Sequence, residues 1–376
     1  MRIMIVTEEF LPAADGLVLR LTEAIRYFLR EGHQVVVVTP DRGIDQFEDA
    51  TIYGIQDKKL PFGKKLFWAP SLTRINDVMM DFSPQVVHIV NPLLLGTVAS
   101  QYASKLEIPV VVSYHTNYMS SLKRLHLNHR VSEKVIWRAR QKISSAAALN
   151  LCTSHVMRHA LEEFGIFNAH VLKRGVDSEK RHPKFASEDM RLILNKGQKD
   201  KKLLVYIGSL QKNKNLEALL PMMRRRSDVC LAIVGDGAHR AELEKVFSGT
   251  NCVFTGFLRG RNLAEAFASG DAFIFPTLNE QVGLSLLEAM ASGVPIIAAR
   301  SPLTTEQFQD GRDAIFYTSG DEDSLDAAIE RLEDQKLMRR IRVIARKEAE
   351  ASSWEGASQQ LMDYYNIAYT RATRYN

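Results

Sequence analysis

Two acids stand eight positions apart in "NEQVGLSLLEAMASGVP" (279–295): Glu280 in a polar loop, and Glu288 inside an apolar run with helical spacing. Between them Gly283, Leu284 and Ser285 open the expected helix. The first N–H groups of a helix lack intrahelical partners and carry the positive end of its dipole, so such a start can bind phosphate. Carboxylates flanking it could hold the hydroxyls of a sugar and a ribose. A plainer reading is also open, in which Glu280 favours a helix start and Glu288 is a solvated helix residue.

Other candidates follow apolar runs in the same way. Gly16 lies in "EEFLPAADGLVLRL", just before a helix, where a missing Cβ lets backbone approach a phosphate or sugar; a tight turn alone would also explain it. His115 follows "PVVVSY", a place for a structural or a site histidine. Lys212 and Lys214, in "SLQKNKNLEAL", read first as surface lysines and alternatively as a phosphate clamp. "VGDGAHR" at 234–240 is a turn.

These residues need elements to position them. "RIMIVT", "QVVVVTP", "QVVHIVNP", "PVVVSYHTN", "AALNLCTS" and "AHVLKRGVD" are strand-like, with helical segments such as "GLVLRLTEAIRYFLREGH" between the early ones. A second series follows: "LLVYIGS", "CLAIVGDG", "CVFTGF", "AFIFPT", "PIIAA" and "AIFYT". Near-continuous Val/Ile runs joined by helices predict parallel sheets covered on both faces, hence an α/β chain with two doubly wound domains. The polar, Lys-rich 184–202 reads as the connection, giving domains 1–183 and 184–353, with a last helix in 354–376 packing back on the first. Ligands of open parallel sheets bind outside the strands' carboxyl ends, so the expected site is the cleft between the two domains.

With 376 residues, 45% of them hydrophobic, the chain can bury two cores. No stretch reaches the roughly eighteen apolar residues of a membrane span. "MRIMIVTEEFLP" runs straight into a strand, and no signal peptide is expected. Cys152, Cys230 and Cys252 lack CxxC spacing and read as buried thiols of a reducing, cytoplasmic compartment. The net charge of +5 suggests an anionic partner without identifying it.

In series, "TEEFLPAADG", "REGHQVVVVTP", "SYHTN", "RGVD", "YIGSLQKNKNLEAL", "VGDG", "FTGFLRGRNLAEAFASGDAFIFPT" and "NEQVGLSLLEAMASGVPIIAA" resemble the family 4 retaining glycosyltransferases of GT-B fold. The glutamate pair resembles that family's E-x7-E motif. "EEFLPAADGLVLRL", "SYHTN" and "KRGVD" are most similar to its glycolipid synthases, sulfoquinovosyl diacylglycerol synthases above all. The resemblance implies that Glu288 bonds ribose hydroxyls and Glu280 the donor sugar. It implies that Gly283, Leu284 and Ser285 receive the diphosphate, with Lys214 and Gly16, while Phe257 and Leu258 read the base and His115 meets the donor sugar. It implies neither metal nor other cofactor, and front-face substitution with the leaving phosphate taking the acceptor proton. "GDEDSL" at 320–325 then reads as a helix cap rather than a metal cluster.

The sequence departs from the family twice. Ser209 stands where an Arg is usual, and Ser cannot supply its charge; Lys212 is a candidate substitute. Ser301 and Pro302 replace a usual Gly-Gly, although Glu306 keeps its place. These changes leave a weakly active or non-catalytic nucleotide-sugar binding relative as an alternative.

For the acceptor, residues 121–143 carry seven Lys/Arg and one acid among Leu, Val, Ile and Trp. This pattern fits an anionic membrane surface, or a basic helix packing its apolar face on its own domain. No nucleic-acid recognition motif accompanies the charge. The expected reaction is transfer from a nucleotide-diphosphate sugar, UDP-linked, to a lipid hydroxyl, with sulfoquinovosyl and diacylglycerol as first assignment. Glucosyl, galactosyl or mannosyl transfer to another lipid or small molecule is the alternative.

Overall fold

A strand with valine or isoleucine at nearly every position has no face to give to water, so both sides must be covered. The computed structural model describes residues 1–376 apart from 14, 60–64, 68–71, 116–128, 279–282 and 375–376, and apart from the side chains of 57–59, 65–67 and 129–136. It divides into two units: Met1–Arg174 with Trp354–Asn376, and Gly175–Ser353.

The first unit holds an eight-stranded sheet in the order Ala169–Val171, Leu149–Cys152, Val110–Tyr114, Val86–Val90, Arg2–Thr7, Gln34–Pro40, Ala50–Ile55, Gln46–Phe47. All pairs are parallel except the last, an antiparallel edge. Alternate residues go to opposite layers. Met4, Val6, Val87 and Ile89 pack with Ile75, Leu95 and Ala99 on one face. Ile3, Ile5, Val86 and Val90 pack with Ile25 and Phe28 on the other, together with Leu361, Met362 and Tyr365 of the helix Trp354–Thr373. The end of the chain thus completes the core of its beginning.

The second unit holds six parallel strands: Cys252–Gly256, Val229–Val234, Lys202–Ile207, Ala272–Phe275, Ile296–Ala299, Ile315–Tyr317. In order of sequence within the unit this is the 3-2-1-4-5-6 arrangement of a Rossmann sheet. Both units are therefore doubly wound α/β, as the strand patterns imply.

The changeover differs from the sequence reading. The polar stretch 184–202 is not a connection but folds within the second unit as the turn Pro183–Phe185 and the helix Glu188–Leu194. Ser187 caps that helix by accepting from the amide of Met190 (3.2 Å). Met190 and Leu194, four apart, enter the second core, while Arg191 grips both oxygens of Asp271 (3.1 and 2.8 Å). Two apolar residues at helical spacing suffice for one short helix, and the lysines around them hide the pattern. Ala50–Ile55 is a strand that no unbroken apolar run announces, because exposed Thr51 and half-buried Gly54 interrupt it.

Cys152, Cys230 and Cys252 are buried and form no disulfide. Among the described residues, no helix is long and apolar enough to cross a membrane. Because Leu361 is buried against the first sheet, Leu361→Ala should cost about 2–5 kcal/mol of stability. Chemical denaturation followed by circular dichroism checks this, and a loss under about 0.5 kcal/mol would be the range of a surface site.

Candidate active site

In the second sheet the order reverses between the neighbours Lys202–Ile207 and Ala272–Phe275. The chain leaves one toward Val229–Val234 and the other toward Ile296–Ala299, so the loops at their carboxyl ends diverge and leave a crevice. Ser209, Lys212 and Lys214 lie in the first loop; Gly283 closes the second. Two hydrogen bonds tie the loops together. Thr277 Oγ1 donates to the Lys214 carbonyl (3.2 Å), and Asn215 Nδ2 donates to the Pro276 carbonyl (3.1 Å). Asn215 holds a left-handed backbone (φ 58°), which Asn tolerates better than most residues. Lys214 is thereby held, half-buried, beside the segment that leads to Gly283; Lys212 and Ser209 are exposed.

Gly283 is the N-cap of the helix Leu284–Ala291 and has no side chain with which to occupy the first N–H groups. Leu286, Leu287, Ala289 and Met290 bury the helix's inner side, while Gly283, Leu284 and Ser285 are half-buried. One turn after Leu284, Glu288 accepts from Nε of Arg181 (2.8 Å), with side chains 19% and 14% exposed respectively. Burial raises the Glu288 carboxyl above its ordinary range, against the pull of Arg181. The Arg346 guanidinium anchors this arrangement by donating to the carbonyls of Ser178 (3.1 Å) and Arg181 (2.8 Å), and to that of Ala291. Glu288 is thus no freely solvated helix residue. Glu280 lies outside the described residues.

The glycines of "GS" and "VGDG" serve close packing of neighbouring loops. A Cβ on Gly235, whose φ is 141°, would lie 1.9 Å from the Gly208 carbonyl oxygen; one on Gly237 would lie 2.3 Å from that of Leu210. After Gly256, Phe257 projects 55% exposed with the Arg259 guanidinium 5.0 Å from its ring centre, while Leu258 packs on the core. Ser301 caps the helix Pro302–Gln307 in a capping box with Thr304, and Pro302 takes the first helical position, where its missing N–H costs nothing. This gives the Ser-Pro pair a local reason. Asp321 caps Glu322–Glu330, as its place in "GDEDSL" implies.

In the first unit, His115 directly follows the strand Val110–Tyr114 and is 9% exposed. Its amide donates to Oδ1 of Asn91 (2.7 Å), and Nε2 lies 2.8 Å from the Ser113 hydroxyl. Burial, with the nearby Arg20 charge, lowers its imidazole well below the ordinary value. Gly16 is the first residue of the helix Gly16–Arg30 rather than a residue before it. Asp15 is the N-cap, accepting from the amides of Leu17 and Val18 (both 2.9 Å), so a carboxylate already occupies two of the free donors there.

Of the basic stretch 121–143, residues 121–128 and the side chains of 129–136 lie outside the description. Of residues 137–143, Trp137 stacks on Phe164 at 3.9 Å and Arg140 and Ile143 are 1% and 4% exposed, while Arg138 and Lys142 are exposed. Arg181 and Glu8 were not singled out in the sequence. Arg181 follows "RGVD" closely, and a charged residue just beyond a motif is the signal that could have drawn attention to it.

Comparison with known proteins shows the family. Residues 14–180 match the Glycosyltransferase Family 4 model and residues 191–348 that of Glycosyl transferases group 1. The chain is 33% identical over 351 residues to the sulfoquinovosyl transferase SQD2 of Arabidopsis thaliana, covering 91% of this chain and 68% of that one. It is 30% identical to a GDP-mannose-dependent alpha-mannosyltransferase of Mycolicibacterium smegmatis, covering 99% and 98%. The sucrose-phosphate synthase of Thermosynechococcus elongatus has the same fold, with TM-score 0.78 at 18% identity over 98% and 99% of the two chains. Two Rossmann-like parallel sheets are those of a GT-B glycosyltransferase. The chain belongs to glycosyltransferase family 4.

Glu8 sits at the corresponding reversal of the first sheet, just past Arg2–Thr7. Its Oε1 accepts from the Leu95 amide (3.0 Å), and burial pushes its carboxyl up to about 7. A carboxyl raised by folding keeps its proton where the unfolded chain has lost it. Its stabilising contribution is full below the ordinary carboxylate value and is lost as pH rises to about 7. Glu8→Gln keeps an acceptor for Leu95 without the charge. It should match wild type near pH 4 and exceed it by about 1–3 kcal/mol near pH 8. Calorimetric melts at both pH values check the crossover; equal melting points at pH 8 would show the carboxylate is solvated.

Proposed function

We propose that the protein is a retaining, metal-independent hexosyltransferase that moves a sugar from a UDP-linked donor to a lipid hydroxyl, with sulfoquinovosyl transfer to diacylglycerol as the first assignment. The observation that carries the nucleotide-sugar reading is the helix start at Gly283, with Lys214 tied beside it and Glu288 one turn behind. N–H groups of Gly283, Leu284 and Ser285 receive the diphosphate and Lys214 adds a point charge. Glu288, oriented by Arg181 through one oxygen, has its other oxygen for ribose hydroxyls. Phe257, exposed beside Leu258, lies against the base; Glu280 and His115 meet the donor sugar, and Gly16 the phosphates.

In the proposed reaction, the acceptor oxygen bonds to the anomeric carbon on the face the phosphate leaves. The carbon–oxygen bond to phosphate breaks with its electron pair going to the phosphate, which takes the acceptor proton. Fixed donors around the diphosphate stabilise that charge, in place of a metal. The sulfoquinovosyl relative supports the sugar, and the resemblance to glycolipid synthases supports the lipid. The mannosyltransferase relative supports the second reading, transfer of a plain hexose. A non-catalytic relative is the third, prompted by exposed Ser209 in place of a guanidinium.

Incubation with labelled UDP-sulfoquinovose, UDP-glucose or GDP-mannose and diacylglycerol separates the three, by which lipid product forms or whether none does. Within that assay Glu288→Ala should weaken nucleotide binding by about 1.5–3 kcal/mol, some ten- to hundred-fold, because a bond to a charged group is lost. Titration calorimetry with UDP measures it, with a melting curve to show the fold retained. Unchanged affinity removes Glu288 from the site.

The lipid acceptor also calls for a surface to meet. Trp137 stacks on Phe164, Arg140 and Ile143 are buried, and Arg138 and Lys142 are exposed. The charges proposed for membrane contact are Lys123, Arg124, Arg130 and Lys134, each contributing about 1 kcal/mol near an anionic bilayer. Binding to anionic vesicles should fall as salt rises and be lost when all four become Gln, with UDP affinity unchanged. Sedimentation with anionic and neutral vesicles tests this. A wild type that stays in solution with both would favour a soluble acceptor.

A further inference from the structure

Four buried polar side chains of the first unit form a continuous hydrogen-bonded line. The Tyr365 hydroxyl lies 2.7 Å from Nδ1 of His88, Nε2 of His88 lies 2.8 Å from Oγ of Ser113, and that Oγ lies 2.8 Å from Nε2 of His115. Their exposures are 0%, 1%, 0% and 9%. His88 and Ser113 belong to the adjacent strands Val86–Val90 and Val110–Tyr114, where Val90 is level with Ser113. The line therefore runs from the C-terminal helix, across the sheet, to the strand end that bears His115.

The protons in this line have one fully satisfied arrangement. Burial lowers the imidazole of His88 to about 3 and that of His115 well below its ordinary value, so both rings are neutral. Each then has one N–H and one acceptor nitrogen. Tyr365 is buried, and among the described residues its hydroxyl meets the His88 ring and no other hydrogen-bonding group. Were the line to donate toward Tyr365, that hydroxyl hydrogen would be left without an acceptor, which buried groups rarely tolerate. So Tyr365 donates to His88 Nδ1, His88 Nε2–H donates to Ser113, and the Ser113 hydroxyl donates to His115 Nε2. The remaining proton of His115 is on Nδ1.

We infer that Tyr365, His88 and Ser113 are positioning residues that hold His115 as its Nδ1–H tautomer, the minor form of a free imidazole, and so make it a hydrogen-bond donor of fixed sense. The backbone is held as well: His115 N–H donates to Asn91 Oδ1 (2.7 Å), and Asn91 N–H donates to the Ser113 carbonyl (2.8 Å). The consequence for specificity rests on the proposed contact between His115 and the donor sugar. A ring that can only donate there suits an oxygen that accepts, whether of a hydroxyl or of a sulfonate, which has no hydrogen to give.

Long-range proton–nitrogen correlation spectra of the full-length protein, labelled with 15N-histidine, read the tautomer directly; His115→Gln assigns the signals by their loss. Wild-type His115 should show a protonated Nδ1 and an unprotonated Nε2, and His88 the reverse. Ser113→Ala should return His115 toward the Nε2–H form, and Tyr365→Phe, which keeps the ring packing, should mix the forms of His88 and His115. In the transfer assay Tyr365→Phe should lower kcat with little change in donor KM. A wild-type His115 protonated on Nε2 overturns the inference without any variant having to fold, as does a tautomer unmoved by either substitution. If the tautomer is as expected but no donor is turned over, the proposed reaction fails and the hydrogen-bonded line stands.

Discussion

Parallel strands all deliver their carboxyl ends to one edge of the sheet, and in a doubly wound sheet neighbouring chains leave that edge in opposite directions at a single place. Where Lys202–Ile207 lies against Ala272–Phe275, this leaves backbone that no adjacent crossover fills. The groups placed at that edge of the second sheet answer to that geometry. Asn215 and Thr277 span the gap with side-chain hydrogen bonds, so that loops leaving in different directions keep a fixed separation. The helix that Gly283 caps, Leu284–Ala291, follows the second of those strands.

Close backbone packing supports the same edge from the side. Gly208 and Gly235, and likewise Leu210 and Gly237, approach within distances that a Cβ would forbid. Gly208 donates to the Val234 carbonyl, Leu210 to that of Asp236, and Gly235 to that of Gly256, at 2.9 to 3.0 Å. Three successive strand-end loops are thus laced by main chain, and their positions are set before any side chain contributes. Rigid placement of this kind is what a site made largely of backbone donors requires.

Much of this was legible in the sequence because each signal was local. Unbroken runs such as "QVVVV" report a strand covered on both faces, and Gly283 ahead of an apolar helical run reports an uncapped start. The Arg181–Glu288 pair was not legible, since its members are far apart in sequence and charge alone does not reveal a partner. For the same reason nothing in "HIV" or "YYN" announced that His88 and Tyr365 meet. The polar stretch at 184–202 misled for the opposite reason: its composition described the surface of a short helix and concealed the two residues that anchor it.

Pairing and burial both set the charge of the polar groups. Arg240 is engaged by Asp236 and Glu244, and Arg191 by Asp271, while burial outweighs the pull of Arg181 on Glu288. In the first unit, burial keeps His88 and His115 neutral and, against the charge of Arg140, favours the neutral form of Glu8 up to about pH 7. Neutral groups of this kind recognise by the sense of a hydrogen bond rather than by charge. In the proposed transfer a diphosphate is held by charge and donated N–H groups, and a sugar oxygen by the sense of a hydrogen bond. On that reading the cation that Ser209 does not provide would act on the diphosphate alone, so its loss bears on how the leaving group is neutralised and not on how His115 orients a sugar oxygen.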